Sequence, residues 1–259
     1  MDGATLIHLF AFLFGLVLGS FLNVCIHRIP EGASIVHPPS SCPSCGERVR
    51  FYDNVPLLSY LLLRGRCRRC AAPISLRYPV VELATGLLSL ALVLRHGPGL
   101  PYLLSLAFVC ALLVVSFVDL QHQIIPDVIS LPGIAVGIAV AFTPWGRVPW
   151  TDAIIGAAAG GGCLFAVAWT FERLTGKEGM GLGDVKLLAM IGAWMGWRDL
   201  PFIILAASLS GILIGGASLV AMRRGLRVRI PFGPFLALGA LLLFFFGSRI
   251  RTLYFGLIF

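Results

Sequence analysis

Long apolar runs separated by short polar segments dominate the chain. Eight such runs lie near residues 4–22, 79–95, 101–118, 128–142, 153–171, 185–197, 201–221 and 232–247. Several are shorter than the roughly 20 residues that an upright transmembrane helix needs. The first run follows no Lys or Arg and precedes no small-residue cleavage site, so we expect a retained helix rather than a signal peptide. The pattern predicts an all-α polytopic membrane protein with about eight transmembrane helices.

Composition and charge support this class and suggest an orientation. The chain is 58% hydrophobic and 12% charged, with a mean hydropathy of +0.92, which excludes a soluble protein. Cytoplasmic loops retain Lys and Arg. If the N-terminus lies outside the cytoplasm, 15 of the 20 basic residues fall in cytoplasmic segments or directly beside one. Topology then explains the net charge of +8, and nucleic-acid binding is not needed to account for it.

One polar segment is large enough to fold by itself. It runs from residue 28 to residue 78 and contains six prolines that indicate turns rather than helix. We therefore divide the chain into a first transmembrane helix (1–27), a cytoplasmic insertion (28–78) and a transmembrane bundle (79–259).

Four cysteines in this insertion have the spacing of a metal site. They form two C-x2-C pairs, Cys42 with Cys45 and Cys67 with Cys70, separated by 21 residues. Four thiolates complete a tetrahedral zinc shell with no open position, so we predict a structural Zn²⁺ that staples this small domain. Reduced cysteines that merely lie near each other, or a redox or catalytic metal site, are the alternatives.

The same insertion is rich in arginine and contains Arg48, Arg50, Arg64, Arg66, Arg68, Arg69 and Arg77. Anionic lipid headgroups of the membrane are the simplest partner for them. Reception of a negatively charged part of a substrate is a second possibility.

Two carboxylates lie where a membrane protein should avoid them. Asp119 ends the third apolar run, and Asp184 begins the sixth, directly after Gly181-Leu-Gly183. The apolar run after Asp184 has about 13 residues and covers about 20 Å, which is less than the roughly 30 Å hydrocarbon core. We therefore expect Asp184 to lie below the cytoplasmic surface, in a pocket that is open to water.

Two acids at one site can act as acid and base, because both cannot ionise cheaply. Such a pair can activate water against a peptide carbonyl. Helix ends would favour Asp184 as the anion and Asp119 as the protonated acid. Asp127 is the rival to Asp119, although its position after a proline and before an apolar run is also typical of a helix N-cap.

At these residues the chain resembles the type IV prepilin peptidases, which are leader peptidases and N-methyltransferases of pilus and type II secretion systems. The elements that carry the resemblance are, in order, Gly19-Ser-Phe-Leu-Asn23-Val, Pro38-Pro-Ser-Ser-Cys42-Pro-Ser-Cys45, Asp53-Asn-Val-Pro-Leu-Leu-Ser59-Tyr, Cys67-Arg-Arg-Cys70, Arg77-Tyr-Pro-Val-Val-Glu82, Asp119 with Ile-Pro-Asp127, Gly181-Leu-Gly183-Asp184, and Pro231-Phe-Gly-Pro-Phe235. A lone G-x-G-D would be weak, but the whole ordered set is specific.

The resemblance implies an activity, a substrate and a location. It implies an aspartic endopeptidase of the bacterial inner membrane with Asp119 and Asp184 as its catalytic pair. Family members cut prepilins and pseudopilins after a glycine that ends a short basic leader, and then methylate the new N-terminal residue with S-adenosylmethionine. Cleavage occurs at the cytoplasmic face, where the topology above also puts both acids, with the N-terminus in the periplasm.

The sequence indicates the residues that bind substrate and cofactor less specifically than the catalytic acids. Gly181 and Gly183 would leave room for an extended substrate strand beside Asp184. No glycine-rich nucleotide fingerprint is present, so methylation enters through the resemblance, with the cysteine-bearing insertion as its expected seat. Glu82, Asn23 and Asn54 lie in or beside that region and could bind the cofactor or the new amine. Each could equally be an interfacial residue that orients helices and loops.

Two other classes of function fit parts of this pattern. A proton-coupled transporter would use intramembrane acids as a relay and the zinc loop for regulation, but no inverted repeat is evident. A non-enzymatic scaffold would leave Asp184 and its glycines unexplained.

Overall fold

The computed structural model describes residues 2–176, 181–215 and 231–258. Within these ranges the regular structure is helical, and the only β contacts are two isolated bridges. The α-helices are α1 (Gly3–Arg28), α2 (Leu58–Leu62), α3 (Arg77–His96), α4 (Leu100–His122), α5 (Asp127–Ala141), α6 (Trp150–Thr175), α7 (Leu182–Met195), α8 (Leu200–Ser210) and α9 (Gly233–Ile258). Two 3₁₀ turns cover Phe51–Asn54 and Trp197–Asp199, and a π turn over Gly211–Gly215 continues α8.

The predicted all-α membrane class is confirmed, and each of the eight predicted apolar runs overlaps a helix. Six described stretches are long and apolar enough to cross a membrane: α1, α3, α4, α6, Trp197–Ile214 and Gly233–Ile250. The other two runs form α5, with 15 residues, and α7, with 14. The expected end of the seventh run, residues 216–221, lies outside the described residues, as does nearly all of the basic segment 222–231.

The chain forms two compact units, Met1–Val114 and Val115–Phe259. In the first unit, α1 packs closely against α3. An added Cβ at Gly15 would lie 2.6 Å from Ser89 Cβ, and one at Gly19 would lie 2.6 Å from Glu82 Cα. These glycines let the two backbones approach to a distance that larger residues would prevent.

In the second unit, α7 packs against both α5 and α6. Gly156 of α6 and Gly192 of α7 face each other so closely that a Cβ on either would collide with the other's carbonyl oxygen. On the α5 side, Trp194 Nε1 donates a hydrogen bond of 2.9 Å to the Gly133 carbonyl oxygen. Several side chains of α7 are completely buried, for example Leu188. This packing fixes the helix that carries Asp184 in its first turn.

Candidate active site and metal centre

Asp119 and Asp184 come together within the second unit. Asp119 lies in the last turn of α4 and is 5% exposed. Asp184 lies in the first turn of α7, and its Oδ1 atom is buried. The two carboxylates are close enough to interact electrostatically. Because two adjacent carboxylates do not both ionise readily, this arrangement can hold one proton between them.

The hydrogen bonds of the two acids differ. Asp119 Oδ2 accepts a bond of 2.9 Å from the backbone N–H of Gly233, the first residue of α9. Asp184 Oδ1 has no donor among the described residues. A buried carboxylate oxygen without a donor is costly in the charged form. The contacts therefore favour Asp119 as the ionised member, which is opposite to the expectation from helix ends alone.

Ile125, in the loop between α4 and α5, lies against the glycines beside both acids. A Cβ at Gly183 would be 2.9 Å from Ile125 Cβ, and one at Gly233 would be 3.3 Å from Ile125 Cδ1. At Gly181 the nearest atom to a Cβ is 3.9 Å away, and the residue is exposed. Among the described residues, none fills the space beside Gly181, where a substrate strand could lie, whereas Ile125 occupies the space at Gly183. Both glycines remain predicted substrate-binding residues.

Asp127 does not act as a helix cap, so the capping hypothesis is wrong. The helix α5 begins at Asp127 itself, after Pro126, and its first turn has no side-chain cap. Both carboxylate oxygens of Asp127 instead accept bonds of 2.8 Å from Lys186 Nζ. Lys186 follows Asp184 by two residues, so the ion pair links the start of α5 to the start of α7.

The four predicted metal ligands come together in the first unit. Each pair sits on a short knuckle with the same backbone pattern. Cys42 N–H donates to the Glu47 carbonyl oxygen, and Cys67 N–H donates to that of Ala72, both at 2.8–2.9 Å. An isolated bridge closes each knuckle, Ser41 with Arg48 and Arg66 with Pro73. Main-chain hydrogen bonds within each knuckle therefore orient its two sulfur atoms.

The cysteine geometry fits a tetrahedral metal ion. The four Sγ atoms lie within 4.8 Å of one another, and Cys42 Sγ is 3.8 Å from Cys70 Sγ. A zinc ion with Zn–S bonds of about 2.3 Å would space its sulfurs by about 3.8 Å. Backbone N–H groups of Cys45 and Ser44 lower the pKa of the Cys42 thiol to about 6. A thiolate, the form that binds metals, is thereby favoured at Cys42, whereas burial and the neighbouring cysteine side chains raise the pKa of the Cys70 thiol to about 11.

Several arginines of the insertion have partners within it. Arg68 forms hydrogen bonds of 2.6–3.0 Å with both carboxylate oxygens of Asp53, which holds the pKa of Asp53 below its usual range. Arg69 pairs with Glu47. The Arg68 guanidinium also lies 5.5 Å from the centre of the Tyr52 ring. These contacts connect the second knuckle to the 3₁₀ turn at Phe51–Asn54.

Comparison with known proteins shows the family. The model "Bacterial Peptidase A24 N-terminal domain" matches residues 13–96, and the model "Type IV leader peptidase family" matches residues 106–216. A prepilin leader peptidase/N-methyltransferase of Aeromonas hydrophila is 41% identical over 94% of this chain and 92% of its own length. The chain belongs to the type IV leader peptidase family.

Two further relatives carry the same name. The protein from Burkholderia pseudomallei (strain 1026b) is 42% identical over 92% of this chain and 85% of its own length. The one from Pseudomonas aeruginosa is 40% identical over 93% and 91%, respectively. No solved structure matches the chain significantly. The resemblance to prepilin peptidases is thus confirmed, and the transporter alternative is not favoured.

In this leader peptidase family member, the polar residues predicted to bind a cofactor are held in different ways. Glu82 of α3 is 7% exposed, and its Oε2 accepts a bond of 2.8 Å from Leu57 N–H. Asn23 of α1 is buried and donates to the carbonyl oxygens of Gly19 and Tyr78 at 3.3 and 3.1 Å. Its Oδ1 has no hydrogen-bond partner in the described part of the chain. Asn54 is exposed in the 3₁₀ turn.

Glu82 holds a strained turn of the insertion. Leu57 has φ 60° and ψ −49°, and Leu58 N–H donates to the Pro56 carbonyl oxygen at 2.6 Å. These values describe a γ-turn of the rare, strained hand. The N–H of Leu57, the central residue of this turn, donates to the Glu82 carboxylate. Glu82 thereby anchors the insertion to the membrane helix α3.

Three residues that contact candidate site residues were not assigned a role from the sequence: Gly233, Lys186 and Leu57. Gly233 belongs to the quoted segment Pro231–Phe235, to which no role was given. Lys186 lies two residues after Asp184 in sequence, and residues two apart on a helix do not face each other. Lys186 is therefore not expected to pair with Asp184. Its partner is Asp127, which is 59 residues away in sequence. The ordered motif around Gly233 was the one available signal.

Proposed function

We propose that this protein is a prepilin leader peptidase and N-methyltransferase. The observation that carries the peptidase part is that Asp119, which is buried, and Asp184, whose Oδ1 atom is buried, lie near each other at the ends of α4 and α7. The name of relatives that match almost the whole chain, prepilin leader peptidase/N-methyltransferase, supports both activities. Other membrane proteins rarely hold two such acids together without a use for their protons.

The two acids divide the work of peptide hydrolysis. The ionised carboxylate takes a proton from a water molecule while the water oxygen attacks the carbonyl carbon of the scissile bond. The protonated carboxyl group donates its hydrogen to the carbonyl oxygen, which stabilises the tetrahedral intermediate. The C–N bond then breaks, and the leaving amine receives the proton first taken from water. The contacts above support Asp119 as base and Asp184 as acid.

Substrate and orientation follow the family pattern. We propose that prepilins and pseudopilins are cut after the glycine that ends a short basic leader, at the cytoplasmic face of the bacterial inner membrane. A periplasmic N-terminus is supported by the distribution of Lys and Arg. The open space at Gly181 supports docking of an extended strand near Asp184. Anionic lipids would contact the exposed arginines of the insertion, and no nucleic acid is required.

The four cysteines would hold a structural zinc ion. Their complete sulfur shell leaves no open position for water, so the ion would have no catalytic role of its own. The insertion has little apolar core, because its large hydrophobic side chains, such as Phe51, Leu61 and Leu62, are exposed. A metal staple is the usual means of stabilising such a small domain.

Methylation would use S-adenosylmethionine, which supplies the methyl group for the new terminal amine. Of the three predicted residues, Asn23 fits best, because its buried Oδ1 is an acceptor without a described donor. Glu82 has one oxygen committed to Leu57 N–H and is the weaker candidate. Exposed Asn54 could contact either the cofactor or the substrate.

The test uses purified protein in proteoliposomes with a synthetic prepilin and S-adenosylmethionine. Asp119→Asn and Asp184→Asn should abolish cleavage, and Asp127→Asn should retain most of it. All three should still methylate a precleaved substrate. If Asp119→Asn cuts while Asp127→Asn does not, Asp127 is the partner of Asp184. If the unaltered protein cuts nothing, the peptidase assignment is wrong.

A further inference from the structure

The start of α9 donates a backbone hydrogen bond to the Asp119 carboxylate. We propose that the backbone N–H of Gly233 is the positioning donor for the Asp119 carboxylate, and that only glycine is compatible with this position. The inference rests on the proposed catalytic role of Asp119. It assigns a role to the Pro231–Phe235 segment, whose purpose the sequence left open.

The hydrogen bonds at the start of α9 leave a single donor for Asp119. The first N–H groups of a helix have no partners within the helix. Those of Phe235 and Leu236 donate to the Phe232 carbonyl oxygen at 3.1 Å, and Pro234 has no N–H. Gly233 N–H is therefore the remaining donor of this turn, and it lies 2.9 Å from Asp119 Oδ2. The partial positive charge of the helix start adds to the attraction.

Steric contacts explain why the position is a glycine. A Cβ on Gly233 would lie 2.7 Å from Asp119 Oδ2 and 3.3 Å from Ile125 Cδ1. The first distance is shorter than any normal carbon–oxygen contact, so the carboxylate would have to move. Glycine also suits the residue before a proline, where a Cβ disfavours helical backbone angles. The same absence of a side chain thus permits both the helix start and the hydrogen bond.

Ile125 sets the spacing between the two acids. Its side chain lies against Gly233, which holds Asp119, and against Gly183, which directly precedes Asp184. A displacement at Gly233 would therefore reach both carboxylates. Misplacement of a reacting group by about 1 Å can lower kcat about 100-fold.

The first experiment compares Gly233→Ala with the matched control Gly162→Ala, a glycine of α6 at which an added Cβ meets no atom within 4 Å. Gly233→Ala should lower kcat for prepilin cleavage about 100-fold, with KM changed less than about 3-fold, because the damaged group acts in the transition state. The pH–rate profile of its residual activity should change shape, and methylation of a precleaved substrate should persist. Gly162→Ala should match the unaltered protein. Unchanged kcat and pH profile for Gly233→Ala would overturn the proposal.

A second variant separates the contact with Asp119 from crowding by Ile125. Ile125→Ala removes the neighbour at 3.3 Å but leaves the carboxylate at 2.7 Å. The double variant Ile125→Ala/Gly233→Ala should therefore stay as impaired as Gly233→Ala. Recovery to the level of Ile125→Ala alone would overturn the proposal, because the defect would then come from packing.

A stability cycle tests the contact without any assay of activity. Gly233→Ala should lower the Tm of the detergent-solubilised protein, but much less in an Asp119→Ala background, in which the close oxygen is gone. Failure of Gly233→Ala to fold, with recovery in the Asp119→Ala background, would support the same conclusion. An equal loss in both backgrounds would overturn it. The cycle stands even if Asp119→Asn proves active, so a wrong peptidase assignment and a wrong contact give different results.

Discussion

The cysteine cluster and the aspartate pair are built in opposite ways. The cysteines come from two short knuckles, and 21 residues separate Cys45 of the first from Cys67 of the second. Each knuckle is folded by its own backbone hydrogen bonds. The aspartate site takes Asp119, Asp184 and Gly233 from the ends of three helices, and the Asp119–Gly233 bond spans 114 residues. One site is local in sequence, whereas the other depends on how the helices of the second unit pack.

The two sites should therefore be sensitive to different kinds of change. The cysteine cluster should fail when a ligand or the metal is lost, because the exposed knuckles have few other contacts. The aspartate site should fail when helix packing shifts, because glycines such as Gly156 and Gly192 hold α7 at a fixed distance from α6. Variants of the cysteine cluster should therefore mainly lower the stability of the insertion. Variants of the aspartate site should mainly lower activity.

The largest effect should come from loss of a metal ligand. Cys45→Ser should release the bound zinc, since structural zinc sites owe about 10 kcal/mol or more to a complete ligand set. Metal analysis should show a loss of the zinc proposed for the unaltered protein, and limited proteolysis should show an unfolded insertion. Methylation should fall further than cleavage. Cys163→Ser, an exposed cysteine of α6, is the control and should keep the zinc. A Cys45→Ser variant that keeps both zinc and protease resistance would contradict the metal site.

A smaller effect is expected at Glu82. Glu82→Gln weakens the acceptor of Leu57 N–H, and a hydrogen bond to a charged group is worth about 2 kcal/mol. Amide exchange should accelerate in the Leu57 turn and in α2. Glu31→Gln is the control, because Glu31 is an exposed residue paired only with His27 among its described ion-pair contacts. Unchanged exchange together with a raised KM for S-adenosylmethionine would make Glu82 a cofactor ligand instead of an anchor.

Loss of the ion pair between Asp127 and Lys186 should have a modest effect. Lys186→Met removes a partly exposed pair, and such pairs contribute about 0.5 kcal/mol. Cleavage should fall only a few-fold, and the reversed pair Asp127→Lys/Lys186→Asp should restore part of the loss. The interpretation fails if Asp127→Asn loses cleavage as completely as Asp184→Asn does.

The smallest effect should arise within the knuckles. Ala71 has φ +57°, whereas the equivalent residue of the first knuckle is Gly46, with φ +70°. A left-handed backbone costs a residue with a side chain about 1 kcal/mol. Ala71→Gly should raise, and Gly46→Ala should lower, the chelator concentration needed to unfold the insertion. Since no atom lies within 4 Å of a Cβ on Gly46, only the backbone strain changes there. Shifts of the same sign in both variants would contradict this reading.

Features that depend on local sequence could be predicted. The apolar runs located the helices, and the C-x2-C pairs identified a cluster that the structure brings together. The acids were found because Asp119 and Asp184 are costly at the ends of apolar runs. Each of these inferences uses residues that are close together in the chain.

Features that depend on distant residues could not be predicted. Asp127 was interpreted as a cap because its neighbour is Pro126, but its partner is Lys186 on another helix. The expectation from helix ends assigns the negative charge to Asp184, because it considers only the helix to which each acid belongs. The start of α9, which donates to Asp119, reverses that expectation. Such contacts arise from packing, which a single sequence does not display.

We propose that Asp119 and Asp184 act as a pair, and the pH dependence of kcat/KM for prepilin cleavage would distinguish a pair from a single catalytic acid. Two interacting carboxyl groups with opposite required protonation states predict a bell-shaped profile with two titrating groups, which belong to the pair rather than to either residue. A profile in which only one group titrates would contradict the account.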